Sequence, residues 1–366
     1  MAERTMRVLM TADAVGGVWQ YATELAAGLT HYGIEVVLAV LGPAPDGARR
    51  QAANAIRGLT LSETGLALDW LSDAESTRDA AARVAALARQ EKVDLVHLNS
   101  PALAAEQSFS MPVVGVVHGC LATWWQAARP ARELDPAFQW HEAMTARALR
   151  VCDRVLAPSA SYAEVVRARY RLAALPHVVH NGRTLPPAIS SSPPQDYGLT
   201  AGRLWDEVKN VHTLDRAAAL LRFPFHAAGP ATAPHGAMVR TEHLQLLGRL
   251  DAAALERRLA NRPVFVSAAT FEPFGLAVLE AAAWGCPLVL SDIPTFRELW
   301  EEAAIFVPAE DAAGFAAAIS DCIADPQRRT ALGEAARHRA QRYTAQRMAQ
   351  QTAAHYRMLV PARLAA

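Results

Sequence analysis

Short apolar runs separated by amphipathic stretches set the rhythm of this chain. Positions 6–11 and 34–41 read as strands, and the pattern between them predicts a helix over 18–31 that Gly33 ends. Further apolar runs fall at 93–98, 112–117, 154–157 and 177–180, with helical periodicity over 77–89, 138–151 and 161–170. These runs are too apolar to alternate, as expected for strands covered on both faces. Strands alternating with helices predict a parallel α/β sheet.

At 186–194 the rhythm breaks into Pro-Pro-Ala-Ile-Ser-Ser-Ser-Pro-Pro, a linker composition. A second α/β pattern follows. Strands are expected at 199–203, 224–228, 243–247, 264–267, 287–290 and 305–307. Helices are expected at 210–221, 252–260, 276–284, 312–323 and 326–342. The chain therefore divides into a domain over 1–185, a linker over 186–194 and a second domain over 195–344. A last helix begins at 345, and the stretch 345–366 is expected to pack back on the first domain. Two doubly wound domains so joined would face each other across a cleft at the carboxyl ends of their strands. No internal repeat is evident.

Length changes this picture little: 366 residues are comfortable for two domains. The formal net charge of zero argues against a general nucleic-acid binder, which carries a basic excess. Cys120, Cys152, Cys286 and Cys322 have no paired spacing, so they read as reduced thiols of a cytosolic protein. The start, 1–7, has no signal-peptide core, and no apolar run reaches the roughly 20 residues that span a bilayer. A cytoplasmic protein is expected, touching the inner membrane face at most peripherally. The arginines near 328–342 would be the contact, although a solvated helix face is the preferred reading. Lys92 and Lys209 are the two lysines in a chain rich in arginine, which marks each as a candidate for a compact point charge.

The candidate chemistry concentrates at 271–280, Phe-Glu-Pro-Phe-Gly-Leu-Ala-Val-Leu-Glu. Phe274 and Gly275 mark a turn, and Leu276 opens a buried helix. A helix N-terminus presents unpaired N–H groups and a positive dipole end, which suit a phosphate. Glu272 before it and Glu280 inside it suit hydroxyl groups, at most roughly 12 Å apart at about 1.5 Å per residue. Hydroxyl-rich ends flanking a phosphate describe a nucleotide sugar. Arg203 and Lys209 lie at another strand-to-helix junction, where a diphosphate would sit; alternatively they are surface charges partnered by Asp206 or Glu207. Gly16 and Gly17, between the first strand and the first helix, would allow positive φ and close approach of a ligand. They do not form G-x-G-x-x-G, so a nicotinamide oxidoreductase is disfavoured.

In order along the chain, the Gly-Gly loop, Gly-Arg-Leu-x-x-Glu-x-Lys at 202–209 and Glu-x7-Glu at 272–280 resemble a family 4 glycosyltransferase of the GT-B fold. Val117-His118-Gly119, Pro158-Ser159, His180-Asn181-Gly182 and Leu247-Gly248-Arg249 support it. The resemblance covers nearly the whole chain. It implies transfer of a sugar from a nucleotide diphosphate donor with retention of configuration and without a metal or other cofactor. It further implies that Arg203 and Lys209 hold the diphosphate. Glu272 and the amides near Phe274, Gly275 and Leu276 would contact the donor sugar, Glu280 the ribose hydroxyls, and His118 the transferred sugar. It also implies attack from the face of departure, with the leaving phosphate taking the acceptor's proton. The sequence departs from the family in one place: Val208 is inserted, so Lys209 stands six residues after Arg203 instead of five.

Trp124, Trp125 and Trp140 are either an acceptor wall or core packing. Glu207 either orders Lys209 or caps a helix. No H-E-x-x-H or D-x-D spacing suited to a metal occurs. The expected activity is a retaining, metal-independent transfer of a hexose-type sugar from a UDP- or GDP-sugar. The acceptor would be a hydroxyl of a saccharide, a lipid-linked sugar or a small molecule. A GT-B epimerase or phosphorylase, or a non-catalytic nucleotide-sugar binding subunit, are the alternatives. The sugar, base and acceptor are not readable from the residues.

Overall fold

The computed structural model describes residues 5–187, 193–234 and 236–360. It forms two compact units; the chain leaves the first between Gly182 and Arg183 and rejoins it between Thr344 and Ala345. Of the expected 186–194 linker, 188–192 lie outside the described residues, as do 361–366 of the C-terminal stretch.

The first unit is built from β1 (Met6–Asp13), α1 (Gly17–Leu29), β2 (Ile34–Leu41), α2 (Gly47–Asn54), β3 (Leu59–Leu66), α3 (Ala74–Gln90), β4 (Leu95–Leu98), β5 (Val113–Val116), α4 (Leu121–Ala128), α5 (Gln139–Val151), β6 (Arg154–Ala157), α6 (Ala160–Tyr170) and β7 (His177–Val178). The strands form one sheet in the order β3-β2-β1-β4-β5-β6-β7, with every neighbouring pair parallel. The apolar runs are central strands covered on both faces: β4 and β5 are buried along their whole length. β3 escapes prediction because it is an edge strand whose residues are only partly covered, so it carries no continuous apolar run. α2 escapes because only Ala53 of it is buried.

The second unit comprises β8 (Gly198–Ala201), α7 (Val211–Ala218), β9 (Phe225–Ala228), β10 (Gln245–Gly248), α8 (Ala252–Ala260), β11 (Val264–Ser267), α9 (Leu276–Ala283), β12 (Leu288–Ser291), α10 (Pro294–Trp300), β13 (Ile305–Val307), α11 (Ala312–Ala324) and α12 (Pro326–Ala340). Its sheet runs β10-β9-β8-β11-β12-β13, again parallel throughout. The expected helix over 210–221 is shorter, and α10, with Pro294 in its first turn, was not anticipated. Trp300 and Phe296 of α10 are fully buried in the core of this unit. Burying the Phe296 side chain contributes about 1.5–3 kcal/mol.

The final helix, α13 (Ala345–Leu359), lies against α1 in the first unit, with Met348, Ala349, Ala353 and Tyr356 in the same core as Leu25 and Leu29. The close approach depends on Gly28: a Cβ there would stand 2.6 Å from Cβ of Ala349 and 3.3 Å from the carbonyl oxygen of Ala345. In both sheets the strand order reverses at one point, between β1 and β4 and between β8 and β11. Open α/β sheets bind ligands beside the carboxyl ends of strands at such reversals. Among the described residues no helix is long and apolar enough to cross a membrane.

Candidate active site

In the second unit, the loops leaving β8 and β11 carry the motif residues. After β8 the chain makes a single 3-10 turn at Glu207–Lys209, started by Asp206, whose Oδ1 accepts from the N–H of Val208, and stopped by Asn210 at φ 52°. Asp206 is 3% exposed and its Oδ2 accepts from Nη2 of Arg203 at 2.8 Å. The carboxylate is thus a buried orienting group for the guanidinium, which also lies 5.4 Å from the centre of the Trp205 ring. Val208, the residue inserted relative to the family pattern, is 2% exposed, and its carbonyl accepts from the N–H of Thr270 at 2.9 Å. The extra residue is absorbed as a core anchor that ties the two loops together. Lys209 emerges from it half-buried and pairs with Glu272, Nζ to Oε2.

Glu272 leads into α9. Gly275 is the N-cap of this helix at φ 91°, a conformation that strains any residue with a Cβ. A Cβ there would also meet Phe296 at 3.2 Å and Glu272 at 3.3 Å. Glycine therefore leaves the first N–H groups of α9 open beside Glu272. Phe274 is buried and Leu276 half-buried, so both serve packing as well as the turn. Glu280, on α9, pairs with Arg183, Oε1 to Nε at 3.0 Å. Arg183 belongs to the same unit and was not singled out from sequence; it follows Asn-Gly directly, and no charge pattern marks it.

In the first unit, the loop after β1 carries Gly16 and Gly17. Neither adopts positive φ, contrary to expectation: Gly16 is extended at φ −134° and Gly17 opens α1. The turn is made instead by Asp13, whose Oδ1 accepts from the N–H groups of Val15 at 2.9 Å and Gly16 at 3.2 Å. What the glycines contribute is the lack of side chains where α1 begins.

His118 follows β5. Its Nε2 lies 2.8 Å from Oδ1 of Asn99, the residue after β4, and its ring meets Tyr21 of α1 edge-on at 4.3 Å between centres. Burial, then the neighbouring His97, pushes the His118 ring down to about 3, so it is neutral near pH 7. Asn99 and His97 were missed from sequence. The available signal was a His and an Asn in and just after the otherwise apolar run 93–98, at the strand reversal.

Trp124 and Trp125 both contact Arg129, at 5.4 and 4.3 Å from ring centre to Cζ. Trp125 is buried and donates to the carbonyl of Glu133, and Trp140 packs on the core under α3 and α5. Packing is therefore the role visible for Trp125 and Trp140. Glu207 opens the 3-10 turn, while Asp206 provides its cap. Among the described residues no group of three or more His, Cys, Asp or Glu is placed to hold a metal ion.

Two all-parallel sheets of this order, each reversing beside the motif loops, define the GT-B fold of glycosyltransferases. The chain aligns over 98% of its length with all of sucrose-phosphate synthase from Thermosynechococcus elongatus, with a TM-score of 0.77 at 19% identity. It aligns over 96% of its length with 99% of the Anabaena protein HepE, solved with UDP and glucose, with a TM-score of 0.72 at 19% identity. Residues 15–185 match Glycosyltransferase Family 4 and residues 195–325 match Glycosyl transferases group 1. The chain belongs to glycosyltransferase family 4. It is 27% identical over 281 residues, 69% of its length, to a glycogen synthase of Mycobacterium tuberculosis, and it spans 65% of the length of that relative.

Proposed function

We propose that the protein is a retaining glycosyltransferase that moves a hexose-type sugar from a nucleoside diphosphate to a hydroxyl of a saccharide or related acceptor. The observation that carries this reading is the gathering of Arg203, Lys209, Glu272 and the N-terminus of α9 on two adjacent loops at the β8/β11 reversal. Cations and open N–H groups there suit a diphosphate, and the carboxylate beside them suits sugar hydroxyls.

In this reading Lys209 and Glu272 satisfy each other until the donor arrives. The diphosphate then takes Lys209, and hydroxyls of the donor sugar take Glu272. As the glycosidic bond breaks, negative charge grows on the diphosphate. Arg203, oriented by buried Asp206, together with Lys209 and the α9 N–H groups, stabilises that charge without having to reorganise. These groups supply the positive field, so the reading calls on no metal. Glu280 on α9 receives the ribose. In the first unit, neutral His118 serves the transferred sugar. The nucleophile arrives on the face the leaving group vacates, and the leaving phosphate takes its proton. Similarity to a glycogen synthase favours a saccharide acceptor, and the UDP and glucose bound by HepE favour a UDP-sugar as the first donor to try. A cytoplasmic setting fits a supply of nucleotide sugars.

The test is a nucleoside diphosphate release assay. It uses UDP-, GDP-, ADP- and TDP-sugars with saccharide acceptors, wild type beside Lys209→Ala, and product configuration read by NMR. Acceptor-dependent release from one donor with retained configuration, lost in the variant, is expected. Interconversion of donors without acceptor would mean an epimerase. Thermal stabilisation by a donor without turnover would mean a binding subunit.

A further inference from the structure

In the first unit, five side chains from four segments, Thr11 of β1, His97 and Asn99 at the end of β4, His118 after β5 and Tyr356 of α13, form one branched network of hydrogen bonds. Asn99 is its centre. The Asn99 side-chain nitrogen donates to the carbonyl of Thr11 at 2.6 Å, and its backbone N–H donates to the Thr11 hydroxyl at 2.9 Å. A carbonyl accepts and never donates, so the amide is locked with its oxygen turned away from β1. That oxygen faces Nε2 of His118 at 2.8 Å and Nε2 of His97 at 3.1 Å. It has two lone pairs and no proton, so both rings must donate to it through Nε2–H. In a neutral ring the other nitrogen is then an acceptor. For His97 that acceptor is filled: the hydroxyl of Tyr356, on α13, lies 2.6 Å from Nδ1. For His118 it is not: among the described residues Nδ1 has no hydrogen-bond partner.

We infer that Asn99 is a positioning residue, fixing His118 with its proton on Nε2 so that Nδ1 is offered as an acceptor for a hydroxyl of the bound sugar. The inference rests on the proposed role of His118 toward the sugar. An acceptor at this point admits a hydroxyl and disfavours a carbonyl or phosphoryl oxygen, so the network is a chemical filter as well as a brace. The titratable groups around the ring are Tyr21 of α1, His97 of β4 and, through His97, Tyr356 of α13. Burial holds His97 at about 4, so this neighbour too is neutral near pH 7 and keeps its own tautomer.

The experiment is long-range proton–nitrogen NMR of the histidine rings in the full chain from pH 7.5 to 5, with His118 assigned by His118→Gln. It is paired with pH profiles of kcat/KM for wild type, Asn99→Leu and Asn99→Asp. The expected wild-type spectrum shows His118 neutral and protonated at Nε2 throughout. Asn99→Leu should lose about tenfold in kcat/KM, the scale of one hydrogen bond. Asn99→Asp should let the His118 ring titrate within the range and add an ionisation to the pH profile, with nucleoside diphosphate binding unchanged. A wild-type ring protonated at Nδ1, or an Asn99→Asp protein with the wild-type spectrum, overturns the inference. The wild-type spectrum decides even if both variants fail to fold. It also decides if no donor is turned over, which would count against the proposed function alone.

Discussion

Glu280 of α9 is held by Arg183, its Oε1 3.0 Å from the guanidinium Nε, with about a fifth of each side chain exposed. The pair sets the direction of a carboxylate that the proposed function gives to the ribose hydroxyls. Replacing Glu280 with Ala should weaken nucleoside diphosphate binding about tenfold and erase any preference for ribose over 2′-deoxyribose. Arg183→Met should weaken binding less and leave some of the preference. Calorimetric titration with UDP and 2′-deoxy-UDP, or with the corresponding pair for whichever base binds, measures both.

Lys209→Ala and Glu272→Ala should each lose most turnover. For Lys209 the loss is on the order of 2.7–4 kcal/mol in the transition state, by analogy with removal of one donor to a developing oxyanion. Both variants should remain folded with some loss of stability, since the two side chains are only 23% and 16% exposed and removing one leaves the other charge partly buried without its partner. Lys209→Arg should not restore activity: the planar guanidinium cannot occupy the compact position that Val208 sets for an ammonium. Single-turnover kinetics beside far-UV circular dichroism tests all three; wild-type rates in Lys209→Ala would remove this residue from the mechanism.

Gly28→Ala should destabilise the first unit. Alanine is the better helix former by about 1 kcal/mol, but its Cβ would stand 2.6 Å from that of Ala349. Overpacking costs about 1–3 kcal/mol, so the contact outweighs the propensity. The melting temperature should fall, and Ala349→Gly in the same chain should recover part of the loss by removing the opposing methyl group.

Stability should fall as the pH drops below about 6.5, the ordinary range of histidine. His97 is held at about 4 and His118 at about 3, so between those values and 6.5 the unfolded chain binds protons that the folded chain refuses. The stabilisation from keeping these rings neutral is full above 6.5 and is lost as the pH falls toward their folded values. At pH 5 the loss from His97 alone is on the order of 2 kcal/mol. Urea unfolding at pH 7.5 and pH 5, in wild type and His97→Gln, reads it as a smaller pH dependence in the variant.

Much of the fold was legible because parallel sheets write themselves as continuous apolar runs: β1, β2, β6 and β11 lie where those runs stand. β3 was not, because an edge strand covers only part of its surface. The site divided along similar lines. Residues next to glycine punctuation and helix starts, such as Glu272 and Gly275, could be found from local chemistry. Asn99, Arg183 and Tyr356 could not, since each acts through a partner distant in sequence: Thr11 lies 88 positions from Asn99, and His97 lies 259 from Tyr356.

By itself, the sequence determined two parallel α/β units and the loops that carry charge and glycine, since strand burial, helix ends and turns are decided over a few neighbouring residues. Tertiary structure alone decided which charge answers which. Lys209 met Glu272 only when inserted Val208 was anchored in the core, and Arg203 was oriented only by the burial of Asp206. The proton on His118 was placed only when β1, β4, the loop after β5 and α13 came together. Hydrogen bonds and ion pairs act over about 3 Å, and only the folded chain brings groups so far apart in sequence within that reach.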